Sequence, residues 1–346
     1  MKYIKIILVL IVVIFLLYVF LNNVDLANVW KLLSRVNFIY PLVFLIGLFL
    51  QFFIRGYRWG ILFRPYKKKI SLLTLYNYTV IGFLINTIIP GRIGEPARGI
   101  MIADEESVKR SHGLATVVLE RMIDFLVVLL LFFVSLSFMK GDSSPLLVQL
   151  KKGASIFLPV VLIVFASFFL INTGKISALF ERFIRFLSKL IPMKFREKVV
   201  DFLINFMGAL KLNLGFVDYI KLSLSSALVW IFLIPFYWFL MQGFPFGSSL
   251  SLFEIIPYFS IIVFAAAIPT PAMAGSFDLA SKKGLLELYK NNKGSIITGD
   301  DAIAYTLLVH VLILVVIIIP GVIALLSKGI NLKNIKKIKE KKDEMS

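Results

Sequence analysis

The sequence predicts an all-α polytopic membrane protein: an inverted repeat of about six full transmembrane helices plus two re-entrant helical hairpins, with both termini cytoplasmic. Three observations predict it. Several runs reach the roughly 18 apolar residues that cross a bilayer, in a chain of 346 residues that is 59% hydrophobic and has a mean hydropathy of +0.90. Two further apolar stretches break into Pro/Gly-rich knots at matching places in the two halves. Lysine and arginine crowd into alternate loops. A β-barrel would instead show short alternating segments.

Met1 to Leu21 is basic and then apolar, as a signal peptide is. Its apolar part, Ile6 to Leu21, is long for one and no small-x-small cleavage site follows, so residues 3–21 are read as a retained first span. Full spans are expected at 39–63, 114–138, 154–172, 220–242 and 302–326. The stretches 72–89 and 255–268 are the interrupted ones. Segment 175–211 has apolar residues at helical spacing, Lys and Arg between them, and a break at Pro192. It reads either as helices on the anionic leaflet or as a solvated linker pair. Residues 1–326 are expected to form one domain, with halves at about 1–140 and 154–326, and 327–346 a basic cytoplasmic tail.

The two interrupted stretches look like copies. Pro90 precedes Gly94 by four residues, and Pro271 precedes Gly275 by four. Each pair ends an apolar segment, and each is followed by a full span. Such paired interruptions mark inverted-repeat transporters. Charge decides between crossing and returning. With both stretches as hairpins and a cytoplasmic N-terminus, the cytoplasmic segments hold 23 Lys/Arg and the outer ones 9. That is the positive-inside pattern. Full crossings would put the basic 175–211 block outside. Each half then makes three crossings, which inverts the second half relative to the first.

The first knot, "NTIIPGRIGEPARG" at 86–99, packs two prolines, two glycines, two arginines and a glutamate into nine residues. An uncompensated charge at mid-membrane costs at least about 2.5–3.5 kcal/mol, and irregular backbone survives there only inside protein or beside water. The knot therefore implies a polar interior. Arg92, Glu95 and Arg98 stand where the chain resumes as a helix, whose free N–H groups favour an anion. Arg suits phosphate through its planar fork. The next span carries Glu120, Arg121 and Asp124, with Glu120 and Asp124 four apart on one face. These groups form either a salt-bridge lock or a substrate site. Arg55 and Arg58, near the end of the second span, either snorkel to headgroups or line a basic vestibule.

The second knot brings Pro271, Gly275, Asp278 and Lys282. Asp278 and Lys282 are spaced to pair. His310, inside the last span, is either a hydrogen-bonded interior residue or a proton relay. There are no cysteines and only two histidines, His112 and His310. Thiolate chemistry and a histidine metal cluster are thereby excluded. No nucleotide-binding loop or hydrolase motif is present, so no cofactor, metal or catalytic residue is assigned. The net charge of +18 is explained by membrane topology rather than by nucleic acid.

Three motifs, "PGRIGEPARG", "ERMIDF" and "IPTPAMAGSFD", resemble the transmembrane region of lysylphosphatidylglycerol synthases, a family with stand-alone flippase-like members. The resemblance spans roughly residues 5–326. The third motif departs from the family's Pro-Thr-Pro-Gly-Gly-x-Gly: Ala272 and Met273 replace two glycines, and Asp278 stands where Glu is common. The resemblance implies an inverted-repeat bundle that moves a charged lipid between leaflets. No counterpart of those synthases' soluble aminoacyl-transferase domain is expected, since nothing globular is read after residue 328. The expected activity is binding and translocation of an anionic phospholipid or a polyprenyl-phosphate-linked lipid in the cytoplasmic membrane, with a homo-oligomer or a biosynthetic enzyme as further partner. The rivals are a membrane-embedded transferase, for which Asp300–Asp301 is the only adjacent Asp pair, and a non-transporting scaffold.

Overall fold

The computed structural model describes residues 24–89, 91–138, 214–247, 250–268, 270–292 and 297–329, with isolated positions between 15 and 21 and between 200 and 208. The expected spans at 3–21 (beyond a helical stretch at 17–21) and 154–172, most of the 175–211 segment, nearly all of the tail and Pro90 lie outside these residues. Every regular element among the described residues is helical: α1 (Leu26–Ser34), α2 (Ile39–Phe63), α3 (Leu72–Ile88), α4 (Gly94–Glu105), α5 (Arg110–Phe138), α6 (Phe216–Ile231), α7 (Leu233–Met241), α8 (Ile256–Ala266), α9 (Ser276–Asn292) and α10 (Gly299–Ser327), with a short 3-10 turn at Pro271–Met273.

Among the described residues, three stretches are long and apolar enough to cross a membrane: Ile39–Phe63, Phe216–Met241 and Gly299–Ser327. The middle one matches the single span expected at 220–242 but is interrupted within. It is two helices broken at Phe232, because Pro235 has no N–H to offer the carbonyl four residues back and its ring crowds that carbonyl. α5 runs for 29 residues, but ionisable side chains occupy its first half.

The interrupted stretches fold as helical hairpins. In the first, α3 of 17 residues meets α4 of 12. In the second, α8 of 11 residues meets α9 of 17. At 1.5 Å per residue none of these spans a hydrocarbon core of about 30 Å with margin. The arms of the first hairpin touch backbone to backbone: a methyl on Gly94 would be built into the Gly82 carbonyl oxygen. The Asn86 side chain accepts from the Gly94 N–H at 2.7 Å and so caps α4.

The hairpins enter from opposite ends of the bundle. The base of the first is closed by Lys67–Glu106 at 2.6 Å and fastened to the C-terminal end of α10 by Lys328–Glu105 at 2.6 Å. The second ends only a few residues before the N-terminus of α10, and Tyr289 of α9 ties back to the Phe246 carbonyl at 2.7 Å. Since α10 is about 44 Å long, the two bases sit far apart and the tips converge. The packing is reciprocal. α3 lies along α10, the helix that follows the second hairpin, and α8 lies along α5, the helix that follows the first.

Candidate functional site

The charged knot and the ionisable turn of α5 meet in the middle of this bundle. Glu120 and Asp124 project from one face of α5 toward α2, where Arg55 and Arg58 are three apart. Arg58 reaches both carboxylates, Nη1 to Asp124 Oδ1 at 2.6 Å and Nη2 to Glu120 Oε1 at 3.0 Å. Arg98 ion-pairs with the other Glu120 oxygen, reaches Thr79 at 3.4 Å and lies 4.4 Å above the Trp59 ring. Arg55 donates to Asp124 at 3.3 Å. The Trp230 indole N–H donates to Asp124 as well, at 3.0 Å. Arg121 reaches Glu120 at 2.9 Å, Asp124 at 2.9 Å and Glu95 at 3.7 Å. Arg92 pairs with Glu95 at 3.3 Å and bonds the Ala266 carbonyl at the end of α8. That last contact joins the two hairpin tips.

The cluster has two layers. Arg58, Arg98 and Glu120 are sealed, with side chains 0%, 1% and 0% exposed. They do not line the cavity that the outer layer faces, and Arg58 is fully buried among the described residues. Arg92, Arg121 and Glu95 keep 34%, 27% and 15% of their side chains exposed. With Arg55 and Asp124 they line a cavity of about 430 Å³, a size suited to a small ligand. Five arginines share three carboxylates, so every arginine has a carboxylate partner but the cluster keeps a net charge of +2. The Arg121 Nε, buried beside the cavity, has no hydrogen-bond partner among the described residues. Away from this charged end the walls are apolar, with Phe52, Phe83, Phe125 and Phe259 among them.

The second hairpin supplies the opposite wall through Thr270, Ala272, Met273 and Phe277. Its tip is left-handed at Ala272 (φ 52°) and Met273 (φ 60°), as the first tip is at Gly91 (φ 90°) and Arg92 (φ 53°). A left-handed residue other than glycine costs about 1–2 kcal/mol, so both tips are held by their surroundings. Gly275, at φ 80°, donates its N–H to Asp278 at 2.8 Å. Asp278 does not pair with Lys282. It pairs with His310 at 2.6 Å, while Lys282 donates to the Phe20 carbonyl at 2.8 Å. Spacing along one helix allowed the Asp–Lys pair, but α10 brings a partner closer. Pro271 opens the 3-10 turn. Sequence reading missed Trp230 and Thr79. Neither carries a signal in the sequence, since Trp230 lies 106 residues from the carboxylate it contacts.

Fold and site together define a class, an all-helical integral membrane protein whose two opposed hairpins close an arginine-rich internal cavity. The chain belongs to the family described as the lysylphosphatidylglycerol synthase TM region, whose profile matches residues 6–321. It is also similar to the UPF0104 membrane protein MJ1078 of Methanocaldococcus jannaschii, 26% identical over 215 residues that cover 53% of this chain and 91% of that one. No solved structure matches the chain.

Proposed function

We propose that this protein holds an anionic lipid by its phosphate in the central cavity and moves it between leaflets. One observation carries the reading: Arg92 and Arg121 are partly open to a cavity whose charge cluster has five arginines against three carboxylates. Low-dielectric surroundings strengthen the demand for an anion there, and the fork of Arg matches phosphate oxygens. The apolar walls favour a lipid over a free ion, and the family's description refers to a phospholipid synthase. Either an anionic phospholipid or a polyprenyl-phosphate-linked lipid supplies this chemistry.

The opposed hairpins are read as re-entrant and the two halves as an inverted repeat. Their short arms, reciprocal packing and paired left-handed tips support this. Broken helices facing one another around a mid-membrane site suit alternating access. The bias of Lys and Arg among the loops supports a reading with both termini cytoplasmic and the protein in the cytoplasmic membrane.

The test uses vesicles containing fluorescent phosphatidylglycerol or a short-chain polyprenyl phosphate, with leaflet exchange followed by quenching. Arg92→Lys and Arg121→Lys keep the charge and lose the fork. Each is expected to slow exchange about ten- to a hundredfold, as loss of one charge-assisted hydrogen bond of about 1.5–3 kcal/mol would, while melting normally. Wild-type rates for both variants with both lipids would refute the phosphate site. Tight lipid binding without exchange would favour a scaffold or a transferase instead.

A further inference from the structure

We propose that Asp278 and His310 form a proton-binding site that latches the tip of the second hairpin, so that one proton holds this wall of the cavity in place and its release frees the wall. His310 is buried on α10. Its Nδ1 lies 2.6 Å from Asp278 Oδ1 and its Nε2 lies 2.7 Å from the Ala272 carbonyl oxygen. A carbonyl only accepts, so Nε2 carries a hydrogen. An ionised carboxylate also only accepts, so the Nδ1–Oδ1 contact needs a second hydrogen, whether it rests nearer nitrogen or oxygen. Ring and carboxyl together therefore hold two hydrogens and are jointly neutral.

Removing one proton leaves a neutral ring with a single N–H and an ionised carboxylate. Either Nδ1 then turns a lone pair on Asp278, or Nε2 turns one on Ala272. One of the two contacts becomes repulsive at less than 3 Å. Both lead into the tip: Ala272 is left-handed, and the other Asp278 oxygen holds the Gly275 N–H at 2.8 Å. Ala272 and its neighbours Thr270 and Met273 line the cavity, so the proton's state reaches the wall directly.

Asp278 is the charged group that acts on His310. The helices packed against α10 also carry Lys31 on α1, Tyr40, Arg55, Tyr57 and Arg58 on α2, Tyr76 and Tyr78 on α3, and Lys282, Lys283, Glu287, Tyr289 and Lys290 on α9. On α10 itself stand Asp300, Asp301 and Tyr305. None of these bonds to the imidazole. The adjoining rung of the α9–α10 interface is a hydroxyl chain, Tyr258–Ser281 at 2.7 Å and Ser281–Thr306 at 2.7 Å, one turn from His310 along α10.

The chain has no cysteine, so Met273→Cys reports the tip alone. Thr87→Cys, which lines the same cavity from the first hairpin, corrects for thiol ionisation. The ratio of their maleimide labelling rates is measured on the full chain in phospholipid nanodiscs from about pH 5.5 to 8.5. With the native dyad the ratio is expected to rise about tenfold as the proton leaves. In Asp278→Asn the amide N–H₂ supplies the missing hydrogen to Nδ1 while its oxygen still accepts from Gly275. The ratio should then stay low throughout. In His310→Ala it should stay high throughout. A flat ratio with the native dyad, or an Asp278→Asn profile that follows it, overturns the latch. Should His310→Ala fail to fold, the near-isosteric Asp278→Asn still decides. No transported lipid enters the measurement, so its outcome is separate from that of leaflet exchange.

Discussion

Glu120 answers three arginines at once, Arg58, Arg98 and Arg121. Glu120→Gln keeps its shape and removes its charge, leaving two sealed guanidinium groups under-neutralised. Breaking a buried ion pair from one side costs about 3–5 kcal/mol, so a large drop in melting temperature of the purified protein is expected. Arg92→Lys, at the partly open rim, should shift stability by less than about 1 kcal/mol. A Glu120→Gln protein that melts like wild type would show that the inner layer does not hold the bundle. The residue types of this cluster were legible in the sequence, because Glu120, Arg121 and Asp124 stand within five positions of an apolar run and demand partners. Which arginines are sealed and which face the cavity was not. Arg92 and Arg98 share one knot, yet Arg98 points down between α3 and α5 while Arg92 reaches across to α8. That division depends on packing between helices far apart in sequence.

At the level of elements, close backbone approach decides the geometry of the first hairpin. α4 and α5 meet where a methyl on Gly113 would be built into the Gly99 carbonyl oxygen. Gly113→Ala must push these helices apart and with them Arg98 and Glu120. Overpacking of this kind costs about 1–3 kcal/mol. Gly284→Ala, whose new methyl would meet a ring carbon of the buried Tyr258 at 3.3 Å, needs only a few tenths of an ångström of movement, offset in part by helix propensity, and should cost less than Gly113→Ala. Paired melting curves check both. The existence of the hairpins could be read from sequence, since Pro and Gly interrupt apolar runs too short to cross. The break at Phe232 was hidden, because a proline inside a long span kinks it as often as it divides it: α10 runs unbroken through Pro320.

For the whole molecule, the loop charges imply hairpins of opposed orientation, and two salt bridges fasten the base of the first one, to the segment before it and to the end of α10. Reciprocal packing was out of reach, because a hydropathy pattern does not say which helix lies beside which. In the cysteine-free chain, single cysteines at the exposed positions Lys68 and Lys109 should label from one face of the membrane and one at Ser251 from the other. Labelling of Lys109→Cys and Ser251→Cys from the same face would contradict the two-hairpin topology.

Where the tips meet, the Arg92 side chain bonds the Ala266 carbonyl at the end of α8. On the proposed re-entrant reading, the electrical potential of the membrane falls mainly across this junction. A single uncompensated charge carried past it would sense nearly the full voltage, about 2.3 kcal/mol per 100 mV, equivalent to about a fiftyfold bias between leaflets. Vesicles energised with a potassium gradient and valinomycin should therefore accumulate a singly charged anionic lipid in the leaflet facing the positive compartment, and reversing the gradient should reverse the accumulation.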